Sequence, residues 1–177
     1  MAVQIGARPD SGFDDPIGML TDCHRRIERF LDILCRVAQK AQGRALNHDE
    51  QSAVQTAIRY FDESGPRHNM DEEESLFPRL QDMNTATLLE ELRRLESDHQ
   101  EADALHEEAA HLYARWIADA GLSAREKTRL LTITEHLQRL YQKHIQIEEN
   151  IVFPLATKLL DLSALAAMGS EFKSRRE

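Results

Sequence analysis

Apolar residues recur at steps of three and four along most of the chain, the spacing that lays one stripe down a helix face. The first stripe runs Ile17, Leu20, His24, Ile27, Leu31, Leu34, Ala38 and Ala41. It opens at Asp14-Asp15-Pro16 and stops at Gly43. Proline suits a first helical position, acids suit the positive end of the helix dipole, and glycine suits the residue after a helix. A second stripe begins near Asn47 and carries Val54, Ile58, Phe61, His68, Glu72 and Ser75. Gly65-Pro66 inside it predicts a kink or short break. The third starts near Thr85 or Thr87 and runs Leu88, Leu92, Leu95, His99, Ala102, His106, Ala109, Tyr113 and Trp116. The fourth opens with Ser123-Ala124-Arg125-Glu126, a capping box. It continues through Leu130, Leu137, Tyr141, His144, Glu148, Ile151 and Leu155. A short fifth helix is expected after Ser163, over residues 164–172. Short linkers make successive helices antiparallel neighbours. The pattern predicts an all-α fold, an up-down antiparallel four-helix bundle with a short C-terminal fifth helix. Residues 1–13 read as a flexible N-terminus, 14–160 as the four-helix domain, and 161–177 as the short helix with a basic tail.

Composition agrees with this. A chain of 177 residues with only 7 Gly and 5 Pro is rich in helix formers and long enough for one core. No apolar run approaches the ~20 residues that span a bilayer. The N-terminal stretch lacks the apolar centre of a secretory signal. Cys23 and Cys35 stand about 18 Å apart along one predicted helix, beyond disulfide reach. A reducing, cytoplasmic setting follows. The net charge of −9 argues against nucleic acid or an anionic membrane as partner. Lys173, Arg175 and Arg176 are too few to reverse it and read as a solvated end.

The informative residues are polar ones in the wrong place. Of eight histidines, His48, His111 and His136 fall off the stripes. His24, His68, His99, His106 and His144 fall on them, where an unpaired polar group costs about 1–3 kcal/mol to bury. Counted from one end of the bundle, His24, His68, His99, His144, Glu72 and Glu148 lie within about one to two turns of a common layer.

Two of these pairs belong to a repeated phrase: RHNMDEEESLFP at 67–78 and KHIQIEENIVFP at 143–154. In each, His and Glu four apart share one helix face. Two carboxylates buried together repel unless cations sit between them. A pair of metal ions about 3.5–4 Å apart needs such bridging carboxylates, with nitrogen donors on the outside. Phe77 and Phe153 are placed to wall the layer, and Pro78 and Pro154 to fall near the helix ends or kink them. Glu73 and Glu74 fall off the stripe and read as solvated face. The stretch HEEAAH at 106–111 spaces its histidines wrongly for a zincin.

On these residues the chain resembles the hemerythrin family, specifically bacterial single-domain proteins of the HHE cation-binding type. The likeness rests on His24, on His68 and Glu72 with Leu76-Phe77-Pro78, on Asp98-His99, and on His144 and Glu148 with Phe153-Pro154. An Ala-Ala-Met-Gly…Arg-Arg ending adds to it. The resemblance implies a hemerythrin-like bundle holding two non-haem iron ions, with Mn or Zn as possible substitutes and an oxo or hydroxo bridge. His24, His68, His99 and His144 would be terminal ligands, and Glu72 and Glu148 bridging carboxylates. It also implies a small diatomic ligand or peroxide as partner: O2, NO or peroxide binding, for sensing, detoxification or iron and oxygen handling. The alternative is a di-iron enzyme, such as a peroxidase or an iron–sulfur cluster repair protein. One departure stands out. Oxygen carriers of the family place a second histidine four residues after the third helix's ligand, and here that position is Asp103. Either Asp103 coordinates or the site keeps an open position. His106 reads as a core or supporting histidine, and Glu28 as an extra candidate donor.

Overall fold

The computed structural model describes residues 10–81 and 86–177. They form eight α-helical segments: α1 (Pro16–Ala41), α2 (His48–Glu63), α3 (Gly65–Met70), α4 (Phe77–Gln81), α5 (Ala86–Ala118), α6 (Ala124–Ile147), α7 (Phe153–Leu159) and α8 (Leu162–Ser174). Two π-helical turns complete them, π1 (Asp71–Leu76) between α3 and α4, and π2 (Glu148–Val152) between α6 and α7. No strand occurs among the described residues. The bundle's four long elements are α1, α2–α3–π1–α4, α5 and α6–π2–α7. α1 packs on α2 and α6, and α5 on α6 and α2. The expected all-α four-helix bundle is the observed fold.

Local chemistry sets the helix ends. The Asp15 side chain accepts the Gly18 N–H at the start of α1. Capping boxes open α2 at Asn47 with Glu50 and α6 at Ser123 with Glu126, each satisfying two otherwise orphaned donors. α1 ends through Gln42 and Gly43, both in the left-handed region at φ 51° and 81°. Gly43 then accepts the Leu122 N–H at 3.0 Å, tying the two loops at this end together. The break expected at Gly65-Pro66 is a single residue, Ser64, between α2 and α3.

Four readings change. α8 starts at Leu162, two residues early, because Asp161 and not Ser163 caps it, accepting the Ala164 N–H at 2.8 Å. Ile151 lies on the extrapolated stripe of the fourth helix yet is 43% exposed. The π2 turn inserts an extra residue, so the buried face passes to Val152, Phe153 and Ala156. The basic tail is not a solvated end: Arg175 and Arg176 both reach Asp71, itself 1% exposed. Residues 1–9 of the expected flexible N-terminus, and Thr85 at the start of the third stripe, lie outside the described residues. Residues 10–13 are docked, with the Ser11 N–H donating to Asp22 at 2.5 Å and Asp10 paired with Arg26. The Phe13 carbonyl passes so close to Gly169 that any Cβ there would clash.

The interior consists of two apolar clusters with a polar layer between them. One contains Ile27, Leu34, Phe61, Ala102, Tyr113, Trp116 and Leu137. The other contains Leu20, Leu76, Phe77, Leu95, Val152, Phe153 and Phe172. Tyr113 and Trp116 satisfy their polar atoms on the Leu34 and Arg44 carbonyls at 2.6 and 2.7 Å. On every long helix a histidine sits where one cluster gives way to the other: His24, His68, His99 and His144.

Candidate metal centre

The polar layer brings together all six residues singled out in the sequence: His24 from α1, His68 from α3, Glu72 from π1, His99 from α5, His144 from α6 and Glu148 from π2. All are buried, the two glutamates at 0% exposure. His24 Nε2 lies 3.0 Å from Glu148 and 3.9 Å from Glu72, and His68 Nε2 lies 3.5 Å from Glu72. Opposite them, His99 Nε2 is 3.3 Å from Glu72 and His144 Nε2 is 3.2 Å from Glu148. The donors fall into two groups, His24–His68–Glu72–Glu148 and Glu72–His99–His144–Glu148. Within each group the nearest donor atoms lie within 4.8 Å of one another. Glu72 and Glu148 belong to both.

Both glutamates sit at the start of a π turn, Glu72 as the second residue of π1 and Glu148 as the first of π2. The Phe77 N–H bonds to the Glu72 carbonyl and the Phe153 N–H to that of Glu148, five residues back. Such turns are rare and concentrate at functional sites. The repeated Phe-Pro supplies a cause. A proline inside a helix removes one donor and its ring collides with the carbonyl four residues back. A wider turn just before Pro78 and Pro154 relieves both problems. The two phenylalanines wall the layer as expected, Phe153 stacked on His24 at 5.3 Å and Phe77 parallel to His99 at 6.4 Å.

The electrostatics are those of a site built for cations. Both oxygens of Glu72, both of Glu148 and His24 Nε2 are buried without a hydrogen bond. His99 Nε2 and His144 Nε2 face one another at 3.1 Å. Burial, together with the charge of Glu148, pushes Glu72 up to about 7. Glu148 moves the other way, because His144 and His24 outweigh its burial. Two like carboxylates so split cannot both ionise without positive charge between them. His24 and His99 are pushed up to about 10: burial opposes charging them, but Glu148 and Glu149, and Glu72 and Glu73, outweigh it. His68, whose burial is reinforced by His24, is held well below the ordinary range. In a buried layer, uncompensated lone pairs are expensive. Two divalent cations would satisfy every one of the orphaned atoms that face the shared centre. The donor set, imidazole and carboxylate, suits Fe or Mn and tolerates Zn.

Glu73 correctly reads as off the stripe, but it is not merely solvated. At 38% exposure it accepts the His99 Nδ1–H at 2.6 Å. Glu149, also 38% exposed, accepts that of His24 at 2.9 Å. Each fixes the tautomer that leaves Nε2 free to face the centre, as carboxylates behind metal-bound histidines do. Asp98 lies 3.5 Å from His144 Nδ1 in the same sense. The signal for Glu73 and Glu149 was present: the repeat extends to His-x-x-x-Glu-Glu in both halves. Glu28 is exposed on α1 and outside both groups. Asp103 is also exposed and outside both groups; it borders a groove with Asn69, His106 and Tyr141. His106 stacks on Phe61 at 4.0 Å and shares a 3.1 Å hydrogen bond with the Tyr141 hydroxyl.

Comparison with known proteins decides the lineage. The family model for the hemerythrin HHE cation binding domain matches residues 15–163. The chain belongs to the hemerythrin family. An uncharacterized protein of Haemophilus influenzae is 26% identical over 168 residues, covering 93% of this chain and 92% of that one. Membership in the hemerythrin HHE family and the buried His/Glu layer together point to metal binding. No single helix among the described residues is long and apolar enough to cross a membrane.

Proposed function

We propose that the protein holds two non-haem iron ions and presents them to O2, NO or peroxide, in the cytoplasm. His24 and His68 would hold one iron and His99 and His144 the other, with Glu72 and Glu148 available to both. One observation carries this reading: two four-donor groups share both carboxylates, the arrangement a metal pair needs. Bound there, the iron pair supplies adjacent redox-active Lewis-acidic positions for a small ligand. The chain's own part is to hold the donors, keep the layer dry between two apolar clusters, and leave coordination unfilled where Asp103 stands back from the centre. The test is elemental analysis after anaerobic reconstitution with ferrous iron, followed by optical titration with O2 and with NO. Two irons per chain and a ligand-dependent spectrum are expected; a reconstituted chain without bound metal would sink the reading.

A second reading, turnover of peroxide, is favoured by the His106–Tyr141 pair. The Tyr141 ring lies 6.4 Å from that of His144 and its hydroxyl bonds to His106 at the edge of the groove. A half-buried hydroxyl beside an imidazole is suited to proton delivery. Steady peroxide consumption above that of free iron, lowered in Tyr141→Phe at unchanged iron content, would favour the enzyme over the binding protein.

A further inference from the structure

The π1 turn has two faces. Glu72 and Glu73 face the centre, Glu72 among the imidazoles and Glu73 on His99. Asp71, Glu74 and Ser75 face the far end of α8. There Arg176 Nη2 meets Asp71 at 2.6 Å and Arg175 Nη1 meets it at 3.0 Å. Arg175 also donates to Ser75 Oγ at 2.9 Å and Glu74 at 3.3 Å. Arg176 is itself steadied on the Phe172 carbonyl at 2.7 Å. Asp71 is 1% exposed, so its charge is answered by these two guanidiniums and not by water.

We propose that Arg175 and Arg176 are positioning residues for Glu72, clamping π1 through Asp71 and thereby setting how tightly the centre retains its metals. The proposal rests on the di-metal reading above. Three observations carry it. Asp71 is the residue immediately before a carboxylate common to both donor groups. A buried carboxylate that loses its partners must reach water or drag its backbone with it. Asp71 and Glu72 are also the first two residues of π1, so what holds Asp71 helps set where Glu72 falls. Movement of an unpaired Asp71 toward solvent would pull the adjoining backbone with it and carry Glu72 away from the shared position, loosening both metals at once.

The repeat supplies an internal comparison. The residue before Glu148 is Ile147, which carries no charge, and π2 keeps its shape without such a clamp. Two guanidiniums on Asp71 are therefore not something every π turn of this bundle requires. They mark the first half alone, where the chain's last helix can act on the centre without touching a metal donor.

The test measures metal retention. Wild type, Arg175→Ala/Arg176→Ala, the same pair with Asp71→Asn, and Glu171→Gln are loaded with ferrous iron, and iron loss to a chromophoric chelator is timed. Glu171→Gln weakens the pair between Arg79 and α8 at 2.7 Å and leaves both guanidiniums on Asp71, so it reports looser docking of α8 with the clamp in place. The double alanine variant is expected to release iron at least about tenfold faster, with Glu171→Gln close to wild type. Adding Asp71→Asn should restore most of the retention, because no buried charge then needs an answer; urea midpoints taken in one metal state should stay near wild type in the arginine variants, and release that rises only in step with a fallen midpoint overturns the clamp. Should the double variant fail to fold, as read by circular dichroism, Arg176→Lys replaces it, with a severalfold faster release expected. Wild-type release in the arginine variants, or a rise that Asp71→Asn does not reverse, overturns the clamp while leaving the metal centre intact. A wild-type chain that takes up no iron overturns both.

Discussion

The carboxylates behind the histidines offer the sharpest quantitative prediction. Replacing Glu73 or Glu149 with alanine removes the acceptor of an imidazole Nδ1–H but no candidate donor to the metals. The ring is then free to rotate or switch tautomer, and Nε2 no longer faces the centre by default. Losing such an outer partner lowers metal affinity about 10–100-fold, which is about 1.4–2.7 kcal/mol. Both acids are 38% exposed, so water can take over part of the hydrogen bond and the lower end of that range applies. Glu73 holds His99 at 2.6 Å and Glu149 holds His24 at 2.9 Å. The shorter charge-assisted bond is the stronger, so Glu73→Ala should cost more than Glu149→Ala.

Location makes the prediction more specific. Glu73 acts on the His99–His144 group and Glu149 on the His24–His68 group, so each variant should weaken one metal first and leave the other. The assay is stepwise competition with a chelator on fully loaded protein, counting metals released in each phase. A biphasic curve is expected for each single variant, and loss of both metals at low chelator for the double. Glutamine at either position keeps an acceptor but not the charge and should fall between alanine and wild type. If both alanine variants hold their metals like wild type while Glu72→Ala does not, tautomer control by these acids is wrong.

Three further outcomes are expected. Glu72→Ala and Glu148→Ala each delete a donor common to both groups, so elemental analysis should find at least one metal missing from either, while Glu28→Ala, on the exposed face of α1, keeps both. Tyr113→Phe strips a fully buried hydrogen bond to the Leu34 carbonyl. It should lower stability by about 1–2 kcal/mol, a fall of a few degrees in melting temperature at this size, with metal content unchanged. His106 is pushed down to about 4 by burial. The unfolded chain therefore binds a proton near pH 6.5 that the folded one refuses, and this contribution is whole above pH 6.5 and fades as pH falls toward 4. It reaches at most about 3 kcal/mol, so urea titrations in one metal state at pH 7 and 4.5 should show His106→Gln losing less stability than wild type across that interval.

The bundle was legible because its information is local. Stripes at steps of three and four name the buried face of each helix, and Asp15, Asn47 and Ser123 announce starts that the structure reproduces. Where reading failed, the backbone changed its period. Extrapolating 3.6 residues per turn past Glu148 puts Ile151 inside, and the π2 turn puts Val152 and Phe153 there in its place. No apolar pattern distinguishes an inserted residue from a slightly ragged stripe, because the neighbours on both sides are apolar. Only the prolines at 78 and 154 hinted at it, since each needs relief from the carbonyl four residues back.

The site divides along a similar line. His24, His68, Glu72, His99, His144 and Glu148 could be picked out because burying them is costly, so their position on an apolar stripe required a reason. Glu73 and Glu149 carry no such cost: a half-exposed acid is unremarkable in isolation, and only its recurrence in both halves distinguishes it. Asp71 had neither signal. Its counterpart is Ile147, and its partners Arg175 and Arg176 stand more than a hundred residues away, just past the end of α8. Burial of that carboxylate is decided by where α8 lands, which depends on the Asp161 cap, the close approach of Phe13 to Gly169, and the Arg79–Glu171 pair. The donors of the centre are thus written in each helix separately. The groups that steady them are divided between the repeat, where they can be read, and a long-range docking event, where they cannot.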